Sequence, residues 1–366
     1  MSLDSYVSLG RSGLRVSSLA LGTMTFGEDW GWGASPEVSA DIMSAYLDHG
    51  GNFIDTSNGY TSGHAEKIVG DYLAARPELR DRLVLGSKFF INLHPGDPNG
   101  GGAGRKGIIA QLDASLRRLR TDYLDIYWLN NYDPYWLDNY QPAIPLEETL
   151  RTLDDLVAAG KIRYIGISNL PGWKVAEASL LAEMKNWEPV IAMQMEYSLL
   201  ERTGEAEIIP AARAFGVGVV PWGALKNGFL SGKYSSSRPI PADGGRAGML
   251  GLPQPRHYPI IDTLNEVADA AGVSSATMAM AWVQQRPGVT ATLIGARTVE
   301  QLETNIRALD LVLTDDQRKA LDDVSATPFA VPASANANAP MLQFGGMSVD
   351  GTRWPMHPAH DDSAHR

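Results

Sequence analysis

A (β/α)8 barrel, preceded by a β-hairpin and followed by an extended C-terminal tail, is the fold class that the 366-residue sequence predicts. Three observations predict it. Short β-rich runs recur eight times along the chain. The stretches between them carry apolar residues at spacings of three and four, the mark of amphipathic helices. The runs Tyr164-Ile-Gly-Ile-Ser168 and Gly216-Val-Gly-Val-Val-Pro221 are almost continuously apolar, as parallel strands covered on both faces must be, whereas an antiparallel sandwich would alternate. Strand followed by helix, eight times over, closes into a parallel barrel.

In chain order, Tyr6 to Leu9 and Leu14 to Val16 flank Gly10-Arg11-Ser12-Gly13, a hairpin pattern expected to plug the N-terminal end of the barrel. The barrel strands are expected at Val16 to Gly22, Asn52 to Thr56, Leu83 to Ser87, Tyr123 to Leu129, Arg163 to Ile167, Val190 to Met195, Val217 to Pro221 and Thr290 to Gly295. Helical patterns cover Val38 to His49, Arg105 to Leu119, Leu146 to Ala159, Val175 to Lys185 and Ala206 to Phe215. Phe89 to Gly104 and Lys226 to Tyr258 are too long for simple connectors and read as functional loops. Periodicity fades from about Thr327. The chain is therefore expected to form one barrel domain over 1–330, with an irregular tail over 331–366 able to contribute to a substrate pocket.

Composition narrows the function classes. With 44% hydrophobic and 20% charged residues, the chain can bury a large core. A formal charge of −11 repels phosphate backbones and anionic membrane surfaces. An anionic ligand would need a local basic pocket. The lack of cysteine excludes disulfides, thiolate metal sites and a Cys nucleophile. His residues at metal-ligand spacing are absent too, so no metal is expected. There is no signal-peptide pattern and no apolar run of about 18 residues, and the expectation is a cytoplasmic protein.

Active sites of such barrels lie at the C-terminal ends of the strands. The second strand ends in Asn52-Phe-Ile-Asp-Thr-Ser-Asn-Gly-Tyr60, which puts Asp55 at the rim and Tyr60 in the next loop. The third strand ends at Lys88 and the fourth at Asn130. A buried Lys beside a Tyr stabilises the phenolate and draws the phenol down from about 10 toward the working range, and a carboxylate fixes the Lys. Such a Tyr suits protonation of a carbonyl oxygen while hydride arrives at the carbon. The hydride must come from a cofactor, because no side chain supplies one.

These residues, with Leu21-Gly-Thr-Met-Thr-Phe-Gly27, Gly166-Ile-Ser-Asn169, Pro221-Trp-Gly-Ala-Leu225 and Ile294-Gly-Ala-Arg-Thr-Val-Glu-Gln-Leu-Glu-Thr-Asn305, resemble the aldo-keto reductase superfamily over about Tyr6 to Val324. The resemblance implies that Asp55, Tyr60 and Lys88 are three members of a catalytic tetrad. Its fourth member, ordinarily His, is here Asn130. Asn exchanges no proton, but its amide can donate a hydrogen bond to a carbonyl oxygen. The β subunits of voltage-gated potassium channels are similar in having Asn there.

The resemblance further implies NADPH, with NADH the lesser alternative. Ser168, Asn169 and Gln194 are implied to contact the nicotinamide carboxamide, and Trp222 to stack on the ring. Gly223, Leu225, Asn227, Gly228, Gly232 and Lys233 resemble a pyrophosphate strap. Gly295, Arg297, Thr298, Gln301 and Asn305 lie where the family grips the adenosine end, near the start of a helix. Arg297 favours a 2′-phosphate. Gly102, Gly104 and Gly107 spell GxGxxG, yet they lie far beyond their strand inside a Pro/Gly loop and are no dinucleotide fingerprint.

Trp30, Trp32, Phe89, Trp128, Tyr132 and Trp136 lie in or near the loops after the first, third and fourth strands; all but Trp128 are candidate substrate residues, shaping an apolar pocket at the rim. The expected reaction is reduction of an aldehyde or ketone to an alcohol. Two alternatives follow from Asn130: an NADPH-binding regulatory sensor with slow incidental turnover, and reduction of double bonds conjugated to a ketone.

Overall fold

The computed structural model describes residues 3–131, 144–238, 251–356 and 358. Strands β1 (Tyr6–Ser8) and β2 (Arg15–Ser17) form the N-terminal antiparallel hairpin. The eight-stranded sheet follows as β3 (Leu19–Gly22), β4 (Phe53–Asp55), β5 (Val84–Phe89), β6 (Leu124–Leu129), β7 (Ile162–Ser168), β8 (Val190–Glu196), β9 (Gly218–Trp222) and β10 (Thr292–Ile294). Every pairing between these strands is parallel, and β10 returns to β3. A bridge between Val219 and Val289, with Thr290 N–H donating to the Val219 carbonyl at 2.8 Å, joins β9 to the segment leading into β10.

Helices α1 (Pro36–Asp48), α2 (His64–Ala74), α3 (Arg105–Leu119), α4 (Leu146–Ala158), α5 (Gly172–Lys185) and α6 (Ile208–Ala214) cross over between strands. Four of these lie where helical periodicity placed them apart from small shifts at their ends, and α3 matches in full. Helix α2, directly after the Tyr60 loop, is an addition. Among the described residues no helix is long and apolar enough to cross a membrane.

Strand side chains alternate between the barrel interior and the helix layer. Phe53, Val84, Ile126, Trp128, Ala192 and Val220 point inward and form one core with Leu9 and Val16 of the hairpin. Ile54, Leu85, Tyr127, Leu129, Ile165, Ile167, Met193 and Val219 point outward, against the helices. The hairpin plugs the N-terminal end as expected. Arg11 N–H donates to the Gly216 carbonyl at 2.7 Å, and Gly10, at φ +59°, leaves no room for a Cβ, which would stand 2.1 Å from the Ile191 carbonyl oxygen.

The interior is filled, not hollow. The Trp128 indole lies between Gly86 and Gly166: an added Cβ would stand 2.8 Å from its Nε1 at the first and 2.2 Å from its Cε3 at the second. Neither glycine has positive φ, so both are there for space. Gly166→Ala is expected to destabilise the fold by about 1–3 kcal/mol through overpacking. Urea unfolding checks this, and an unchanged midpoint would mean that the indole yields. Trp128 thus belongs to the barrel core, below the rim.

The tail is not an extended chain. After Thr327 it forms short helices over Ala333–Asn336 and Ala339–Phe344 and a two-residue hairpin pairing Ser348–Val349 with Thr352–Arg353. Phe344 and Trp354, 6.4 Å apart, give it a small aromatic contact of its own.

Candidate active site

The inward parity that fills the barrel floor also builds the site one step higher. Two residues beyond Phe53 is Asp55, beyond Gly86 is Lys88, beyond Trp128 is Asn130, beyond Gly166 is Ser168, beyond Ala192 is Gln194 and beyond Val220 is Trp222. Register sets Asp55 beside Gly86, Lys88 beside Trp128, and Ser168 beside Gln194. Six strand ends therefore direct polar or aromatic side chains to one mouth.

Asp55 and Lys88 are 1% and 2% exposed and form a buried ion pair. The Lys88 ammonium also donates to the Thr56 carbonyl at 2.9 Å, and Gln194 Nε2 donates to the second oxygen of Asp55 at 2.8 Å. Burial pushes the Asp55 carboxyl up, against the pull of the Lys88 charge and the Gln194 amide. For Lys88, burial disfavours the ammonium, but Asp55 and Tyr60 outweigh it and hold the amine above its ordinary value. Lys88 hydrogen-bonds to Tyr60 as well, with its ammonium 5.1 Å from the centre of that ring.

Tyr60 opens a single 3-10 turn whose following residues, Thr61, Ser62 and Gly63, all have positive φ, from 45° to 91°. Such a run costs energy and persists only when its surroundings hold it. The Thr61 hydroxyl provides that hold, accepting from Ala65 N–H at 2.9 Å at the start of α2. Half-buried Tyr60 is thereby turned toward Lys88.

Asn130 follows β6. Its N–H donates to the Phe89 carbonyl at 3.3 Å and its carbonyl accepts from Asn169 Nδ2 at 3.1 Å. Asn169 has φ 58°, and its Oδ1 accepts from Trp222 Nε1 at 3.1 Å. Its amide thus spans the tips of β6, β7 and β9. Its second N–H and second oxygen lone pair are left over for a ligand.

The strap residues Gly223, Leu225, Asn227, Gly228, Gly232 and Lys233 follow β9, and Gly223, Asn227, Gly228 and Gly232 take the left-handed backbone that lets a chain curl tightly. A Cβ on Gly228 would meet nothing closer than 4.0 Å. Sequence reasoning missed Lys226, which carries φ 43° and pairs with Glu196 at 2.5 Å, tying the strap to the tip of β8. Its signal was available, since Glu196 shares the parity of Gln194.

At the end of β10, Thr298 caps the helix Val299–Ile306 by accepting from Gln301 N–H at 3.2 Å. Gln301 accepts in turn from Arg297 N–H at 2.9 Å, and Asn305 Nδ2 donates to the Gly295 carbonyl at 3.2 Å. The Arg297 guanidinium, half-exposed, has no acidic partner among the described residues. An aromatic platform, a buried Ser and Gln, an open glycine-rich strap and, beside a helix N-terminus, a guanidinium with no acidic partner among the described residues together fit a dinucleotide.

Of the candidate substrate residues, Trp30 and Trp32 are half-buried with ring centres 5.6 Å apart, on a loop tied to α2 by the Asp29–His64 pair at 2.8 Å. Phe89 does not reach the rim. It has outward parity, is fully buried, and packs its ring 4.7 Å from Tyr127 in the helix-side core. Its neighbour Phe90, missed in the sequence, is half-buried just past the strand and has the unusual φ of 122°. Tyr132 and Trp136 lie outside the described residues. A cavity of about 500 Å³ lined by Tyr197, Glu205, Ile209, Arg213 and Arg286 lies on the helix side of the strands and shares no residue with this constellation.

The chain is similar to known proteins over most of its length. The Aldo/keto reductase family model matches residues 18–326. The chain is 35% identical to the uncharacterized oxidoreductase YrpG of Bacillus subtilis, covering 88% of this chain and 96% of the relative. It is 33% identical to norsolorinic acid reductase of Emericella nidulans, over 91% and 84% of the two chains. Identity to an aryl-alcohol dehydrogenase of Pestalotiopsis microspora is 31%, over 91% and 84%. With its barrel, its strand-end constellation and these matches, the chain belongs to the aldo/keto reductase family, whose members are NAD(P)H-dependent oxidoreductases acting on small carbonyl compounds.

Proposed function

We propose that this protein reduces an aryl aldehyde or ketone to the alcohol with NADPH, and that Tyr60 delivers the proton. The observation that carries the reading is the continuous chain Gln194–Asp55–Lys88–Tyr60, sealed from water at its inner end. When bound, the dihydronicotinamide supplies hydride to the carbonyl carbon. Tyr60 gives its phenolic proton to the carbonyl oxygen, which completes the alcohol. The Lys88 ammonium, kept charged by Asp55, stabilises the phenolate left behind. The Asn130 amide, facing the same mouth, donates to the carbonyl oxygen and orients it without exchanging a proton.

Trp222, Ser168, Asn169 and Gln194 would hold the nicotinamide end, the strap from Gly223 to Lys233 the pyrophosphate, and Gly295, Thr298, Gln301 and Asn305 the adenosine. Arg297 would pair with the 2′-phosphate. The aryl class rests on the half-buried pair Trp30 and Trp32 in the loop after the first barrel strand and on the aryl-alcohol dehydrogenase among the relatives.

The test is NADPH oxidation across a panel of aryl and aliphatic carbonyl compounds, with Tyr60→Phe as control. Turnover no greater than that of Tyr60→Phe on every member would sink the proposal and favour a cofactor-sensing role. Arg297→Ala is expected to weaken NADPH binding about 10- to 100-fold while NADH binding changes by no more than about threefold, since only the first ligand loses a charged hydrogen bond. Titration by tryptophan fluorescence reads both; equal losses would remove Arg297 from the 2′-phosphate.

A further inference from the structure

One side-chain amide on α3 ties the segment carrying Tyr60 to the segment leaving Lys88. Gln111, 7% exposed, engages its whole amide. Its Oε1 accepts from Phe90 N–H at 2.9 Å and from Asn58 Nδ2 at 3.1 Å, and its Nε2 donates to the carbonyls of Gly102 at 3.2 Å and Gly107 at 3.0 Å. Asn58, two residues before Tyr60 and 1% exposed, also donates to the Ile91 carbonyl at 3.0 Å, and its own N–H to the Lys88 carbonyl at 3.2 Å. Gly102 N–H donates to the Phe90 carbonyl at 2.8 Å. Both backbone polar groups of Phe90 are thus pinned while its φ stands at 122°, a region that a residue with a Cβ occupies only under constraint. Ile91 closes over Gly59, where a Cβ would stand 2.9 Å from its Cγ1.

A buried, fully bonded Gln is by itself ordinary. What separates this one is that its partners come from different segments: the run that leads to Tyr60, the exit of β5 at Phe90, the far end of that loop at Gly102, and α3 itself. We infer that Gln111 is a positioning residue for the reaction, the hub that holds the proton donor's segment against the Lys88 strand and fixes the backbone at Phe90 where the chain leaves that strand. The inference rests on the proposed role of Tyr60. It touches none of the residues proposed to hold the dinucleotide, so its effect is confined to the substrate side.

Two variants test it. Gln111→Met keeps length but strands the Phe90 N–H and removes one of the two donations of the Asn58 amide, leaving only that to Ile91. It is expected to raise KM for an aryl ketone about 10-fold and lower kcat severalfold, with NADPH affinity unchanged within about twofold. Amide hydrogen exchange should accelerate together in 57–63 and 90–104. Gln111→Glu keeps both acceptor contacts and loses the two donations, so faster exchange should be confined to 99–107 with 57–63 still protected and kcat near the parent's. Should Gln111→Met fail to fold, that contrast in Gln111→Glu carries the test. Parental KM and kcat in a folded Gln111→Met, or 57–63 left unaffected in it, would overturn the hub, as would 57–63 exposed in Gln111→Glu. The exchange arm uses the protein without cofactor or substrate. It therefore judges the hub even if Tyr60→Phe keeps full activity, a result that would remove the proton donor instead.

Discussion

Tyr60→Phe is expected to lower kcat/KM for carbonyl reduction by about 10² to 10⁴, the usual contribution of a positioned general acid, while leaving NADPH affinity within about twofold of the parent. The change removes a single oxygen. The ring keeps its place in the turn held by Thr61, and Lys88 keeps Asp55 and the Thr56 carbonyl as partners. The loss should fall on kcat, because the phenolic proton is needed only as charge develops on the carbonyl oxygen. Steady-state kinetics and a binding titration check both expectations. A variant retaining more than about a tenth of parental kcat/KM would assign the proton to another donor.

Lys88→Met is expected to cost about 3–5 kcal/mol of stability near neutral pH in addition to activity, because it leaves Asp55 as an uncompensated buried charge. The pH dependence has a definite sign. Lys88 is held above its ordinary value, so its own contribution is present in full through the neutral range and is lost only as pH rises through that higher value. Burial pushes the Asp55 carboxyl up even beside the ammonium. Without Lys88 it moves further up. For an acid whose folded pKa exceeds its unfolded one, the penalty is absent below the ordinary carboxylate range and grows as pH rises through it. The deficit of Lys88→Met should therefore be smaller at about pH 5 than at about pH 7.5. Adding Asp55→Asn should restore much of the stability and none of the activity, since it removes the stranded charge but not the need for an ammonium beside Tyr60. Urea unfolding at the two pH values measures this. A neutral-pH midpoint equal to the parent's would mean that the pair holds nothing in place.

Much of the barrel was legible because a strand covered on both faces must be apolar and a crossover helix must be amphipathic, and both demands are written in local sequence. The strand ends Asp55, Lys88 and Asn130 were legible for the same reason, as polar residues terminating such runs, whereas Ser168, Gln194 and Trp222 came only from the family resemblance. Helix α2 escaped because the strained turn over Thr61 to Gly63 hides its start. The tail escaped because its short helices bury little and leave no periodic stripe.

Phe89 and Phe90 mark the boundary most sharply. Both are aromatic and both follow Lys88, yet Phe89 is fully buried in the helix-side core while Phe90 is half-buried just past the strand with φ 122°. What keeps Phe90 in its strained backbone is Gln111, which is twenty-one residues away and reaches it only once α3 has folded back. The sequence by itself determined the barrel, its plug and the chemical character of its strand ends, because these follow from periods of two and 3.6 residues. Only the tertiary structure decided which loops are held together and by what: Lys226 to Glu196, Asn169 to Trp222 and Asn130, Gln111 to Asn58 and Phe90. A hydrogen bond between distant segments depends on the closed barrel to bring its ends within 3 Å or so, and no local pattern records it.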